Sequence, residues 1–75
     1  MQDITISDEY IRLGQALKLS GFAQSGVDAK VRIENGDVTV NGEVETRRGK
    51  KLRDGDVVAM DGNSFTVHSK LADKA

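Results

Sequence analysis

Apolar residues recur along this chain at two spacings. At every second position stand Ile4 and Ile6, Val38 and Val40, and Phe65 and Val67. That is the alternation of strands with one buried face. At spacings of three and four stand Leu13, Ala16 and Leu17, which predict a helix with Gln15 and Lys18 turned outward and Gly21 as its stop. Tyr10 to Leu13 either extends as a second short strand or leads straight into this helix. A second helix starts at Ser25, an N-cap residue. Asp28, three residues on, approximates a capping box and complements the helix dipole. Asn35-Gly36 ends it. Within it Ala29 and Ile33 share one face, and Val27 and Val31 share another that is nearly opposite. Either this helix is sandwiched or one valine is exposed.

The second half of the chain reads as strands separated by glycine turns. Val38-Thr39-Val40 runs into Asn41-Gly42, whose residues favour the two positive φ angles of a type I′ hairpin turn. Glu43 to Thr46 is expected to return as the paired strand with Val44 inward. Asp54-Gly55 turns the chain into a strand over Asp56 to Met60, and Asp61-Gly62-Asn63 turns it into another over Ser64 to His68. The predicted class is α+β, a two-helix hairpin packed on a small, mostly antiparallel sheet. A single domain is expected over residues 1–68, with residues 69–75 as a frayed tail.

Seventy-five residues allow one small domain, which buries only about 60% of the surface its unfolded chain exposes. Charged residues make up 31% and hydrophobic residues 37%, a balance that folds. Cysteine is absent, so there is neither a disulfide nor a thiolate metal site. No apolar run approaches the roughly 20 residues of a bilayer-spanning helix. The start, Met1-Gln2-Asp3, lacks the basic and apolar regions of a secretory signal. The expectation is a soluble cytoplasmic monomer without membrane contact.

Charge changes the picture. Eleven lysines and arginines face twelve acids, for a net charge of −1. Yet Arg47, Arg48, Lys50, Lys51 and Arg53 crowd into seven consecutive residues that contain no acid. A charge run by itself is usually a solvated face. Cations concentrated in an otherwise neutral chain point instead to a polyanion-binding edge. Arginine forks match phosphate oxygens, and Gly49 permits a sharp turn or a close backbone approach. If the stretch neutralises about five phosphates, log affinity falls with log salt at a slope of roughly −3.5 to −4.5. A second candidate surface lies around the start of the second helix, where Lys18, Gln24, Ser25 and Lys30 are expected to gather and backbone N–H groups suit a phosphate. Ser25 is also explained by capping alone.

Other chemistry is not supported. There is no Cys–His pair, no GxSxG elbow and no P-loop, and Asp54, Asp56 and Asp61 fall at turns where aspartate is ordinary. His68 is the sole histidine, which leaves no basis for a metal site. Neither an enzyme nor a cofactor is expected. Aromatic residues are 4% of the chain, so Tyr10, Phe22 and Phe65 read as core or edge packing. Single-strand binding by base stacking is disfavoured, and recognition of structured RNA by shape and phosphate fits better.

An ordered series of residues carries a resemblance. Ser25, Ala29, Ile33, Gly36, Val38, Val40, Asn41 and Gly42, followed by Leu52 and Gly55-Asp56-Val57-Val58, resemble the RNA-binding domain named after small-subunit ribosomal protein S-four. Leu17-Lys18-Leu19, Ser25-Gly26, Ala29-Lys30 and Val44-Glu45-Thr46-Arg47 are similar to its stand-alone subgroup of the YbcJ and YaaA type. The resemblance spans roughly Leu13 to Met60. It implies the alpha-L motif fold, structured RNA (above all ribosomal RNA) as partner, and association with the ribosome or its precursor. Gly26 stands where the broader family often has arginine, and Val31 at a frequently basic position. The implied RNA contacts therefore shift onto Lys30, Arg32 and the basic stretch. The competing reading is a protein-interaction adaptor or a β-grasp-like carrier module. Carriers of that kind end in Gly-Gly, whereas this chain ends Asp73-Lys74-Ala75 and places two helices before its strand pair.

Overall fold

The computed structural model describes residues 2–73, so Lys74 and Ala75 of the expected tail lie outside the described residues. The chain begins with β1 (Gln2–Ile6) and a two-residue β2 (Ile11–Arg12), which passes without a break into α1 (Leu13–Leu19). Both alternatives for the Tyr10 to Leu13 segment are thus realised in succession. Next come α2 (Gly26–Glu34), β3 (Val38–Val40), β4 (Glu43–Val44), β5 (Lys51–Leu52), β6 (Val57–Met60) and β7 (Asn63–Ser69). Five strands form one sheet in the order β1-β7-β6-β3-β4, antiparallel except for the β1–β7 pair. β2 and β5 form a separate two-stranded antiparallel ribbon.

The period-two residues Ile4, Ile6, Val38, Val40, Phe65 and Val67 all point inward. They meet Leu13, Ala16 and Leu17 of α1, Ala29 and Ile33 of α2, and Leu52 of the ribbon in one core. Phe22, from the link between the helices, packs edge-on against Phe65 with ring centroids 5.1 Å apart. Both β-turns flanking the β3–β6 pair have successive positive φ angles, at Asn41 (53°) and Gly42 (87°) and at Asp61 (54°) and Gly62 (81°). Those angles suit the right-handed twist of the strands they join.

Two expectations are corrected. Val44 is 61% exposed. Its register partner is Thr39, so it shares the outer face of β3 rather than the face of Val38 and Val40. In α2 both Val27 and Val31 are exposed, because the core covers only the Ala29–Ile33 stripe and no second layer lies outside it. β7 runs through Ser69, the first residue of the expected tail. Ser69 is buried, its N–H donates to Asp54 Oδ1 (2.8 Å) and its hydroxyl donates to the Asp8 carbonyl (2.6 Å). A 3₁₀ turn follows over Lys70–Asp73.

Candidate nucleic-acid interface

The ordering of the basic stretch starts at α1. This helix has no side-chain cap at its N-terminus, so its first amides need other partners. The loop between β4 and β5 supplies them. Leu13 N–H donates to the Lys50 carbonyl (2.8 Å) and Gly14 N–H to the Arg48 carbonyl (3.1 Å). Arg12 Nη1 donates to the carbonyl between them, that of Gly49 (3.3 Å). Three successive loop carbonyls are therefore turned toward β2 and α1. Inside the loop, Lys50 N–H donates to the Arg47 carbonyl (3.2 Å).

This docking lays Arg48 across Gly14. A β-carbon at position 14 would lie 2.7 Å from Arg48 Cγ and 3.3 Å from Cδ. Beside that contact runs a groove of about 330 Å³ lined by Arg12, Gly14, Lys18, Gly26, Arg48 and Gly49. Three cations thus converge with the first residue of α2. No carboxylate lines the groove, and none of the three cations forms an ion pair among the described residues. The basic loop and the helix-hairpin face, two separate surfaces in the sequence, meet in this groove.

The rest of the basic stretch goes elsewhere. Arg47 closes on Glu45, with Nε 3.0 Å from Oε2 and Nη2 3.3 Å from Oε1. Hydrogen bonding from Arg47 holds the Glu45 carboxyl below the usual carboxylate range, and the same pairing raises Arg47. Lys50 lines a separate depression with Glu43, Glu45 and Asp56. Lys51 and Arg53 leave the loop on the ribbon. Lys51 Nζ lies 4.8 Å from the centre of the Tyr10 ring, and the Arg53 and Arg12 guanidinium carbons lie 5.7 and 5.9 Å from it.

The α2 candidates also divide. Ser25 Oγ accepts from Asp28 N–H (3.1 Å), and Asp28 Oδ2 accepts from Gln24 N–H (3.1 Å), so this pair caps the helix. Lys30 is exposed and forms no ion pair among the described residues. Arg32 sits among three carboxylates: Asp61 at 3.1 Å, Asp37 at 3.8 Å and Asp28 at 3.9 Å. It ties α2 to the β6–β7 turn and does not reach the groove. Asn41 is tied in as well. Its Nδ2 donates to Asp56 Oδ1 (3.0 Å), its Oδ1 accepts from Val57 N–H (2.9 Å), and Asp56 Oδ2 accepts from Arg53 N–H (2.7 Å). Together these bonds clamp the turn between β5 and β6.

Sequence reasoning missed Arg12, Tyr10 and Gly14. A signal for the first two was present: Tyr10-Ile11-Arg12 and Lys51-Leu52-Arg53 each place an apolar residue between two outward neighbours. Nothing in the sequence marked Gly14 as the seat of Arg48, 34 residues away. Elsewhere, His68 Nε2 lies 3.2 Å from Asp3 Oδ1 and joins β7 to β1. Among the described residues no cluster of three His, Cys, Asp or Glu side chains forms a metal cradle, and no helix is long and apolar enough to cross a membrane.

Residues 4–68, nearly the whole fold, match the family described as the S4 domain. The chain belongs to the S4 domain family. Its S4 domain is 49% identical over 65 residues to a Bacillus subtilis (strain 168) protein named probable ribosome maturation protein RlbA, covering 85% of this chain and 92% of that one. It is 41% identical over 58 residues to the putative RNA-binding protein YbcJ of Escherichia coli (strain K12), covering 77% and 83%. The solution structure of E. coli YbcJ superposes with a TM-score of 0.71 at 36% identity, over 91% of this chain and 87% of that one. That structure is described as having an αL motif involved in RNA binding. The two helices and mostly antiparallel sheet of this S4 domain are the same fold.

Proposed function

We propose that this chain is a non-enzymatic RNA-binding module that docks on structured ribosomal RNA through the groove between α1, the start of α2 and the 47–50 loop. One observation carries the reading. Arg12, Lys18 and Arg48 converge in a groove without a carboxylate, in a chain whose net charge is −1. Three glycines, Gly14, Gly26 and Gly49, line the groove, so a sugar-phosphate backbone can approach the protein main chain closely. Relatives named for RNA binding and for ribosome maturation support the same partner and an assembly role at the ribosome. In this reading the protein acts in the cytoplasm as a monomer, by delivery or stabilisation of RNA rather than by chemistry.

The test is retention of purified bacterial ribosomal RNA at several salt concentrations. Contacts from the three groove cations alone give a log–log slope of about −2 to −2.7. Replacing Lys18 and Arg48 with alanine should reduce that slope and weaken binding. Wild-type protein that retains no ribosomal RNA at low salt would refute the reading. The adaptor alternative is favoured by a different observation, the exposure of both Val27 and Val31 on α2. It requires recovery from cells of a protein partner with no RNA above background.

A further inference from the structure

The β2–β5 ribbon has two unlike faces. In its register Ile11 stands opposite Leu52, and Arg12 opposite Lys51. Leu52 is fully buried and Ile11 packs against the core, so this pair forms the inner face. Arg12 and Lys51 form the outer face. Tyr10 and Arg53, two residues along from Arg12 and Lys51, extend it. The result is a compact block of one aromatic ring and three cations, all within 6 Å of the ring centre by the distances above.

Three like charges held this closely repel one another, and the usual remedy is a carboxylate between them. Here Asp8 and Glu9 share a depression with Tyr10 and Arg12, and Glu9 and Asp54 share another with Arg53, yet no ion pair to Arg12, Lys51 or Arg53 forms among the described residues. The partner at the centre is the uncharged Tyr10 ring, whose negative quadrupole attracts cations without cancelling their charge. The positive field therefore remains available to an outside anion. Arg12 also lines the groove, so the ribbon face and the groove are continuous.

We propose that the outer face of the β2–β5 ribbon is a second RNA-backbone contact, its phosphates taken by Arg12, Lys51 and Arg53, with Tyr10 as the residue that gathers those three cations. The inference rests on the RNA-binding reading and adds a second segment of the same RNA to it. Arg12 serves both segments, at the point where the backbone passes from groove to ribbon.

The salt dependence of ribosomal RNA binding separates the two claims. Five cations in contact (Arg12, Lys18, Arg48, Lys51 and Arg53) give a slope of about −3.5 to −4.5, whereas the groove alone gives about −2 to −2.7. Lys51→Gln with Arg53→Gln removes both charges while keeping polar side chains and should flatten the slope by about 1.4 to 1.8. Tyr10→Leu removes no charge yet should weaken binding about 2- to 5-fold, while Tyr10→Phe keeps the ring and the affinity. A wild-type slope near −2 to −2.7 that the Lys51, Arg53 pair of substitutions leaves unchanged overturns the ribbon contact and leaves the groove standing. Tyr10→Leu and Tyr10→Phe behaving alike overturns the role given to Tyr10. Absence of any RNA retention by wild type removes both readings together.

Discussion

Gly14 and Arg48 occupy one another's space: the hydrogen on the glycine lies where a methyl group would press to within 2.7 Å of the arginine Cγ. The same two residues share a backbone hydrogen bond, Gly14 N–H to the Arg48 carbonyl. The smallest residue in α1 thus seats one of the two arginines of the groove. Gly14→Ala should still fold, because the gain in helix propensity of up to about 1 kcal/mol opposes the cost of displacing Arg48 from its Cγ outward. Arg48 must take another rotamer, so RNA binding should fall to the level of Arg48→Ala. In a double-mutant cycle the combined variant should bind no more weakly than Arg48→Ala alone. Additive losses would show that Gly14 does not act through Arg48.

Glu45 restrains Arg47 outside the groove. Glu45→Gln should release a guanidinium beside the loop, tighten RNA binding and steepen the salt slope by up to about 0.9. The pairing also has a pH signature. The folded-state carboxyl titrates below its ordinary value of 4.5, so its contribution to stability is present above that pH and is lost as pH falls through the lowered value. Any difference in Tm between wild type and Glu45→Gln at neutral pH should therefore close in acid. Thermal melts across pH 7 to 3 read this directly.

Arg32 behaves as a structural cation. Its contacts reach Asp28, Asp37 and Asp61 on three different segments of the fold. Arg32→Ala should lower stability by about 0.5–1 kcal/mol, the scale of partly exposed ion pairs. Its affinity for ribosomal RNA should match wild type. A loss comparable to that of Lys18→Ala would place Arg32 in the interface after all.

Gly26 has open space around it: nothing lies within 4 Å of a β-carbon placed there, and its φ is not positive. Gly26→Arg should be accommodated, because the gain in helix propensity offsets an unfavourable cation near the helix start, each worth about 1 kcal/mol or less. An arginine at this groove-lining position should tighten RNA binding and steepen the slope by about 0.7–0.9. Weaker binding by a stably folded variant would mean that RNA enters the groove past Gly26 and needs it bare.

Local chemistry made most of the fold legible in advance. The Ser25 cap, the Asn41-Gly42 turn, the inward residues of β1, β3 and β7 and the buried stripe of α1 each depend on neighbours a few residues away. Misreadings arose where a partner decides the face. Val44 alternates correctly within its own strand, and only pairing with Thr39 turned it outward. Val27 and Val31 form a regular stripe, and only the lack of a covering layer exposes both.

The candidate site was legible as composition but not as arrangement. Sequence by itself determined that seven consecutive residues carry five cations, with Leu52 the one apolar residue among them. Tertiary structure alone decided where those charges act. It set β5 against β2, seated Arg48 on Gly14, closed Arg47 onto Glu45 and drew Arg32 to Asp61, 29 residues away. The physical reason is one of range. Backbone periodicity and turn geometry are set by adjacent residues, whereas the electrostatic fate of a long flexible cation depends on whichever group the folded chain brings within a few ångströms.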